Sequence, residues 1–403
     1  MKKYLLLCLL SCSFVFAQGY STIKLKAMQG NAAAQVAVGE ELYHDATTEK
    51  EYLEAEKYLK LAAEQGEGLA QYYLATIYYL GLAGVEDDQL ALKWFLESAK
   101  QGDSDAQYYV GEIYYYGLTA DPDYQEAYKW LQLSAKNEDP DAQNLLGEIA
   151  YLGSLGEEDN ETAFQWFTLS AKQGNSASQH RLAEIAYLGL LGEPDYETSL
   201  YWLKLAVEQD DADAQGLLAE FYFYGDALPQ DYEKARYWAE LAAAEDNSTG
   251  QMVLGYLHLH GLGVTQDIDL AERYAISSAE QQDAAGITLL GKVYIQRYLE
   301  DKNAAYIKKA QRYFETAALN YEEPYAQLAL ASLYAQGIGV KQDLKKAMTF
   351  ARLAEAQGLL ETQTIIAVIY SKEGKSDLAL EWAQKACQNE IEGACNFYRI
   401  LSQ

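Results

Sequence analysis

At 403 residues the chain exceeds the roughly 250 to 300 residues at which single hydrophobic cores stop growing, so it holds several globular domains or an array that escapes the limit by repetition. Ala, Leu, Glu, Gln, Lys and Tyr recur, Pro occurs only 5 times, and no long Ser/Gly or Pro tract marks a linker, which favours one continuous helical array. A formal charge of −29 argues against nucleic-acid or anionic-headgroup partners, because phosphate binding depends on Lys and Arg displacing counterions; basic or neutral partners are favoured, with plain solubility of a long acidic chain as the alternative.

The chain opens on Lys2 and Lys3, an apolar stretch from Tyr4 to Phe16 and the small Ala17, the layout of a secretory signal over residues 1–17 cleaved before Gln18. The stretch is shorter than the roughly 20 residues that span a bilayer, which disfavours an uncleaved anchor. Leu9-Leu10-Ser11-Cys12 also looks like a lipoprotein cleavage box, an alternative weakened by the apolar Phe14, Val15 and Phe16 after the cysteine. The expectation is an exported chain, periplasmic, cell-surface or secreted, whose mature part is not inserted in a membrane because no later stretch approaches spanning length without charges.

Residues 18–33 read as a partial repeat that caps the array: Thr22 to Gly30 resembles the tail of a helix, with Ala27 and Gly30 in phase with Ala63 and Gly66. Over residues 34–393 an Ala-Gln pair or a close variant opens similar blocks at Ala34, Ala70, Ala106, Ala142, Ser178, Ala214, Gly250, Gly286, Ala326 and Thr362, at steps of 36 residues with one of 40. Trp94, Trp130, Trp166, Trp202 and Trp238 keep the same period, and two rulers in register exclude chance. Within a block, Ala70, Leu74, Ile77 and Tyr78 form one apolar face of a first helix, A. Gly81 and its counterparts Gly117, Gly153, Gly189, Gly225, Gly261 and Gly337 end it, and Asp87, Asp123, Asp159, Asp195, Asp231, Asp267 and Asp343 then cap a second helix, B. The tryptophans of helix B are expected to be core anchors, and residues 394–403 a lone closing helix.

The block from Ala70 to Gly102, with its Ala, Leu, Tyr, Gly, Asp87, Ala91, Trp94 and Ser98-Ala99 pattern, resembles a Sel1-like repeat, a relative of the tetratricopeptide repeat. The resemblance covers nearly the whole mature chain in about ten copies and implies an all-α fold, an α/α superhelical solenoid of helix-turn-helix repeats with the A helices on its concave side. The block from Gly286 departs from the pattern, with Arg297 where a loop glycine is expected and an insertion through Asn303, and the block from Thr362 is shortened near Gly374. Cys387 and Cys395 have a spacing similar to that of cysteine-rich Sel1-like proteins, in which a disulfide staples a helix B to the next helix A; an oxidising compartment invites the same bridge here, with two free thiols as the alternative.

No catalytic, metal or cofactor constellation is expected. His44, His180, His258 and His260 are the only histidines, and His258 and His260 stand two apart rather than at the i, i+4 spacing that grips zinc. Ser21-Thr22-Ile23-Lys24 matches the Ser-x-x-Lys of penicillin-recognising enzymes but lies just after the signal, without companion motifs.

Three columns on helix A avoid its apolar face. The first holds Tyr72 and Tyr108; the second Glu40, Glu112, Glu148, Glu184 and Glu220; the third Tyr43, Tyr79, Tyr115, Tyr151 and Tyr187. They share one stripe and suggest a groove for a cationic or mixed polar-aromatic partner; a solvated face is the alternative. Stacked glutamates are expected to repel and to cost some stability. Tyr256, Lys292, Ser332 and Val368 take the glutamate position later, so the groove has an acidic half and a mixed half. The leading expectation is a monomeric, exported interaction scaffold or adaptor that holds a peptide or protein, favoured to be basic, in its concave groove, in a bacterial envelope or host-contact process. The rival is an enzyme acting on cell-wall or β-lactam substrates, suggested by the link of cysteine-rich relatives to penicillin binding.

Overall fold

The structure is a computed structural model that describes residues 22–391 and 393–402. The signal over residues 1–17, the cleavage and lipidation alternatives at Ala17 and Cys12, and Ser21 lie outside the described residues. The chain divides into two compact units, residues 1–202 and 203–403, and each is taken by itself.

In the first unit a helical segment at residues 22–28 leads into A and B helices in strict alternation: Ala32–Asp45 with Glu49–Ala63, Gly68–Tyr79 with Asp88–Ala99, Ser104–Tyr116 with Tyr124–Ala135, Pro140–Tyr151 with Asn160–Lys172, then Ser176–Leu188. The caps are local. Asn31, Asp103, Asp139 and Asn175 accept the amides of Ala34, Ala106, Ala142 and Ser178 at 2.8–2.9 Å, so each A helix starts two residues before its Ala-Gln marker. Asp87, Asp123 and Asp159 do the same for the B helices at 2.9–3.0 Å. Gly117 and Gly189 close their A helices in the left-handed region, at φ 66° and 64°, where a side chain would be strained.

The marker glutamines join one repeat to the next. Gln35, Gln71, Gln107 and Gln179 are almost wholly buried and donate from Nε2 to the carbonyls of Ala27, Ala63, Ala99 and Ala171 at 3.0–3.2 Å, a second hydrogen bond for C-terminal carbonyls that also accept the amides of the turn glycines Gly30, Gly66, Gly102 and Gly174. Gln65, Gln101 and Gln173, from the ends of B helices, then donate to the Oε1 atoms of Gln35, Gln71 and Gln143 at 2.7–2.9 Å.

The core anchors stand one residue beyond the aromatic ruler. Leu59, Phe95, Leu131 and Phe167 are fully buried; of the ruler residues, Tyr58 and Trp94 are also buried, and Trp130 and Trp166 are half-buried and packed against the core. Each such side chain contributes about 1.5–3 kcal/mol on leaving water. Gly147 shows how tightly the anchor meets the A helix, since a Cβ there would stand 2.5 Å from the Phe167 ring. Successive A helices touch one another more closely than successive B helices do, which puts the A helices on the inner side of this unit.

The second unit repeats the scheme through Ala212–Tyr224 and Tyr232–Ala244, Ser248–His260 and Ile268–Glu280, Ala284–Asp301 and Ala304–Asn320, Pro324–Gln336 and Leu344–Ala356, Thr362–Lys372 and Ser376–Gln388. In the 40-residue block the A helix runs on through the place where others turn, because Arg297 replaces the glycine and is held by Asp269 at 2.6 Å and by Glu272 from Nε at 2.7 Å. Ala394–Leu401 closes the chain, fastened to the preceding helix by the Cys387–Cys395 disulfide at a Cα separation of 4.5 Å. Among the described residues there is no strand, and no helix is long and apolar enough to cross a membrane.

Candidate partner-binding face

The A helices of the first unit carry most of the stripe, and every stripe residue there is half-buried. Their side chains are joined to one another. The Tyr79 hydroxyl donates to Glu112 Oε2 at 2.9 Å from the preceding repeat, and Tyr108, one turn before Glu112 on its own helix, donates to Oε1 at 2.6 Å. Tyr73 donates to Glu40 at 3.4 Å and lies 3.1 Å from His44 Nε2. Arg181 clasps Glu148 with Nε and Nη2, at 2.6 and 3.2 Å, reaches Glu184 with Nη1 at 2.8 Å, and stands 5.2 Å from the Tyr151 ring. The glutamates are therefore bridged by phenols and a guanidinium rather than stacked as bare like charges. Hydrogen bonds to the carboxylates and the bidentate arginine oppose the repulsion expected from the column.

Rings extend the network. Tyr43 packs 4.8 Å from Tyr73, Tyr72 packs 5.4 Å from Tyr73 and 6.4 Å from Tyr109, and Tyr109 stacks on buried Phe95 at 4.8 Å. Tyr115 meets Tyr116 at 4.9 Å, and Tyr187 meets Tyr196 at 5.9 Å. Glu220 lies in the second unit, half-buried on Ala212–Tyr224. Burial first, then the hydrogen bonds and charge of Glu112, pushes the Tyr79 and Tyr108 hydroxyls well above the ordinary phenol range. Burial and Glu184 push Tyr151 up to about 12. Burial alone would weaken the charge of Arg181, but Glu148 and Glu184 outweigh it and hold the guanidinium above its usual value. The face thus sets phenols held in their neutral form beside carboxylates, and Glu40 and Glu112 make no ion pair among the described residues.

The column pattern did not single out Tyr73, Tyr109 or Arg181. All three occupy one helix A position, two residues after the marker glutamine, where Leu145 and Leu217 stand in other repeats. A basic residue three before Glu184 in a column otherwise apolar or aromatic is the signal that was there to be read.

The sequence profile of the Sel1 repeat matches nine stretches, at residues 32–67, 68–103, 104–139, 140–175, 176–211, 212–247, 248–283, 324–359 and 375–390. The chain belongs to the Sel1 repeat family. Both stretches between the later Sel1 matches have a structural cause: 284–323 is the lengthened block with Arg297, and 360–374 is the shortened block. Among solved structures, a protective antigen of uropathogenic Escherichia coli that displays an SLR fold is 26% identical, with a TM-score of 0.54 over 95% of this chain and 90% of that one. A Sel1 repeat protein from Oxalobacter formigenes is also 26% identical, with a TM-score of 0.50 over 84% of this chain and 87% of that one. No curated protein sequence matches significantly. Sel1 repeats are tetratricopeptide-like helix pairs, and stacked arrays of this kind are typical scaffolds for protein–protein interaction.

Proposed function

We propose that this Sel1 repeat protein is an exported scaffold that holds a basic peptide or protein segment against the A-helix face of its first unit. The observation that carries the proposal is Glu112, a half-buried carboxylate oriented by two tyrosine hydroxyls and without an ion-pair partner among the described residues. A cation arriving there meets an acceptor already fixed in place, with phenol rings on either side to take its charge on their faces. The signal-like residues 1–17, the disulfide and the likeness to a protective antigen support export. The rival enzyme reading rests on the likeness of Cys387 and Cys395 to the cysteine-rich Sel1-like branch, and its test is incubation with a labelled β-lactam, where absence of covalent or saturable binding would remove it.

The test replaces Tyr116, 56% exposed beside Glu112, with a photo-crosslinking residue, and uses Leu133 on a B helix as the control. Partners captured from the native cell should come from the Tyr116 position and not from Leu133. Binding of the purified partner should then weaken, and lose salt dependence, in an E40Q/E112Q double variant, which removes charge without stranding Arg181. Equal capture at both positions, or unchanged affinity and salt dependence, would sink the proposal.

A further inference from the structure

The second unit has a different inner face. At the helix A position where the first unit carries Glu112, Glu148 and Glu184, it keeps only Glu220 and then places Tyr256, Lys292, Ser332 and Val368. Beside Lys292 a half-open cavity of about 330 Å³ lies among the A helices Ser248–His260, Ala284–Asp301 and Pro324–Gln336. Its floor is apolar. Leu259, Phe314 and Leu333 are buried there, and Phe314 comes beneath the A helix because Gly291 has no Cβ to stop it; one would stand 2.5 Å from the ring. At the rim Lys292 donates to the Tyr256 hydroxyl at 3.0 Å, and its ammonium lies 4.9 and 5.3 Å from the Tyr256 and Tyr325 rings. His260 completes the rim, its imidazole pushed below its usual pKa by burial and then by the charge of Lys292.

Lys292 makes no ion pair among the described residues, although acidic residues outnumber basic ones by 60 to 31. Two rings fix the ammonium at the mouth of an apolar hole, and only one hydrogen bond occupies it. We infer that this cavity binds a small amphipathic anion, its carboxylate or sulfonate on Lys292 and its apolar body over Phe314 and Leu333. The volume falls at the low end of ligand pockets, about 300–1,000 Å³, and suits a chain or ring of modest size. Charge complementarity decides the sign of the head group. An ammonium would meet Lys292 as a like charge, and a neutral head would leave that cation uncompensated. The site is independent of the face in the first unit.

The test is calorimetric titration of the full chain with octanoate, octanol and octylammonium, supported by displacement of the fluorescent anion 1-anilinonaphthalene-8-sulfonate. Octanoate should bind at one site and displace the dye; octanol should bind on the order of tenfold more weakly, and octylammonium not at all. K292M keeps the unbranched stem, one atom shorter and without the charge, and should reduce octanoate affinity by about tenfold or more while leaving octanol unchanged. Ala329→Phe, which fills the cavity from one wall, should abolish binding of both with the helical circular dichroism intact. Equal affinity for octanoate and octanol, octanoate binding unchanged in K292M, or binding that survives Ala329→Phe in a folded protein would each overturn the inference.

Discussion

Arg181→Met tests whether the stripe of the first unit contributes to the fold as well as to a binding face. The arginine makes three close contacts with Glu148 and Glu184, and the three side chains are 28%, 12% and 27% exposed. Breaking a fully buried pair costs about 3–5 kcal/mol and an exposed one about 0–1 kcal/mol. With Glu148 near the buried end and Arg181 intermediate, the substitution should cost about 2–3 kcal/mol. Most of that is the penalty of leaving two carboxylates close together without a counter-charge. A stacked array opens locally rather than in one global step, so the assay is native-state hydrogen exchange of the amides in Pro140–Tyr151 and Ser176–Leu188. R181M should lower the opening free energy of both helices, and R181M/E148Q/E184Q should recover most of the loss. A change below about 0.5 kcal/mol in R181M, the spread of ordinary surface substitutions, would refute the reasoning, as would a triple variant no better than the single one.

Two further predictions concern pH and redox state. Tyr151 has its hydroxyl pushed from 10.0 up to about 12, and Tyr79 and Tyr108 are pushed up further, so the stability of these groups is complete below about pH 10 and is lost as pH rises through the folded values. Absorbance at 295 nm should show a late-ionising class of tyrosines that titrates together with loss of helical circular dichroism; ionisation of every tyrosine near pH 10 with helices intact would contradict it. Reduction of Cys387–Cys395 should raise exchange first in Ala394–Leu401, at a cost of about 2–3 kcal/mol for so short a loop, and protein purified without reductant should contain no free thiol.

Much of the fold was legible because its determinants are local and recur. The Ala-Gln marker, the loop glycines such as Gly117 and the cap carboxylates such as Asp87 each act within a few residues, and repetition turned weak signals into a strong one. The aromatic ruler marks core packing, with Trp94 buried and Trp130 and Trp166 packed against the core, but the rotation of helix B about its axis puts the fully buried side chain one residue on, at Phe95, Leu131 and Phe167. The side-chain network was harder to see. Glu112 with Tyr79, and Glu148 with Arg181, pair across 33 residues, a distance in sequence that becomes contact only once the offset between repeats is fixed. The charges were counted correctly and their partners were not.

The buried glutamines carry a consequence for how such a chain can change length. Gln71 bonds the carbonyl of Ala63, and Gln107 bonds that of Ala99, so each peg looks back only one repeat and finds the same atom there. If residues 68–103 were excised, Gln107 would arrive at the carbonyl of Ala63, like for like, and the cut ends would rejoin without a new interface to invent. In the first unit, deletion or duplication in whole 36-residue steps is thus permitted by the joints, whereas after the 40-residue block of the second unit the peg Gln327 bonds a different carbonyl, that of Glu322 at 3.1 Å. The length of the array is free to drift in this way, while side chains that the repeats do not share, such as Arg181 and Lys292, give individual repeats their own surface chemistry.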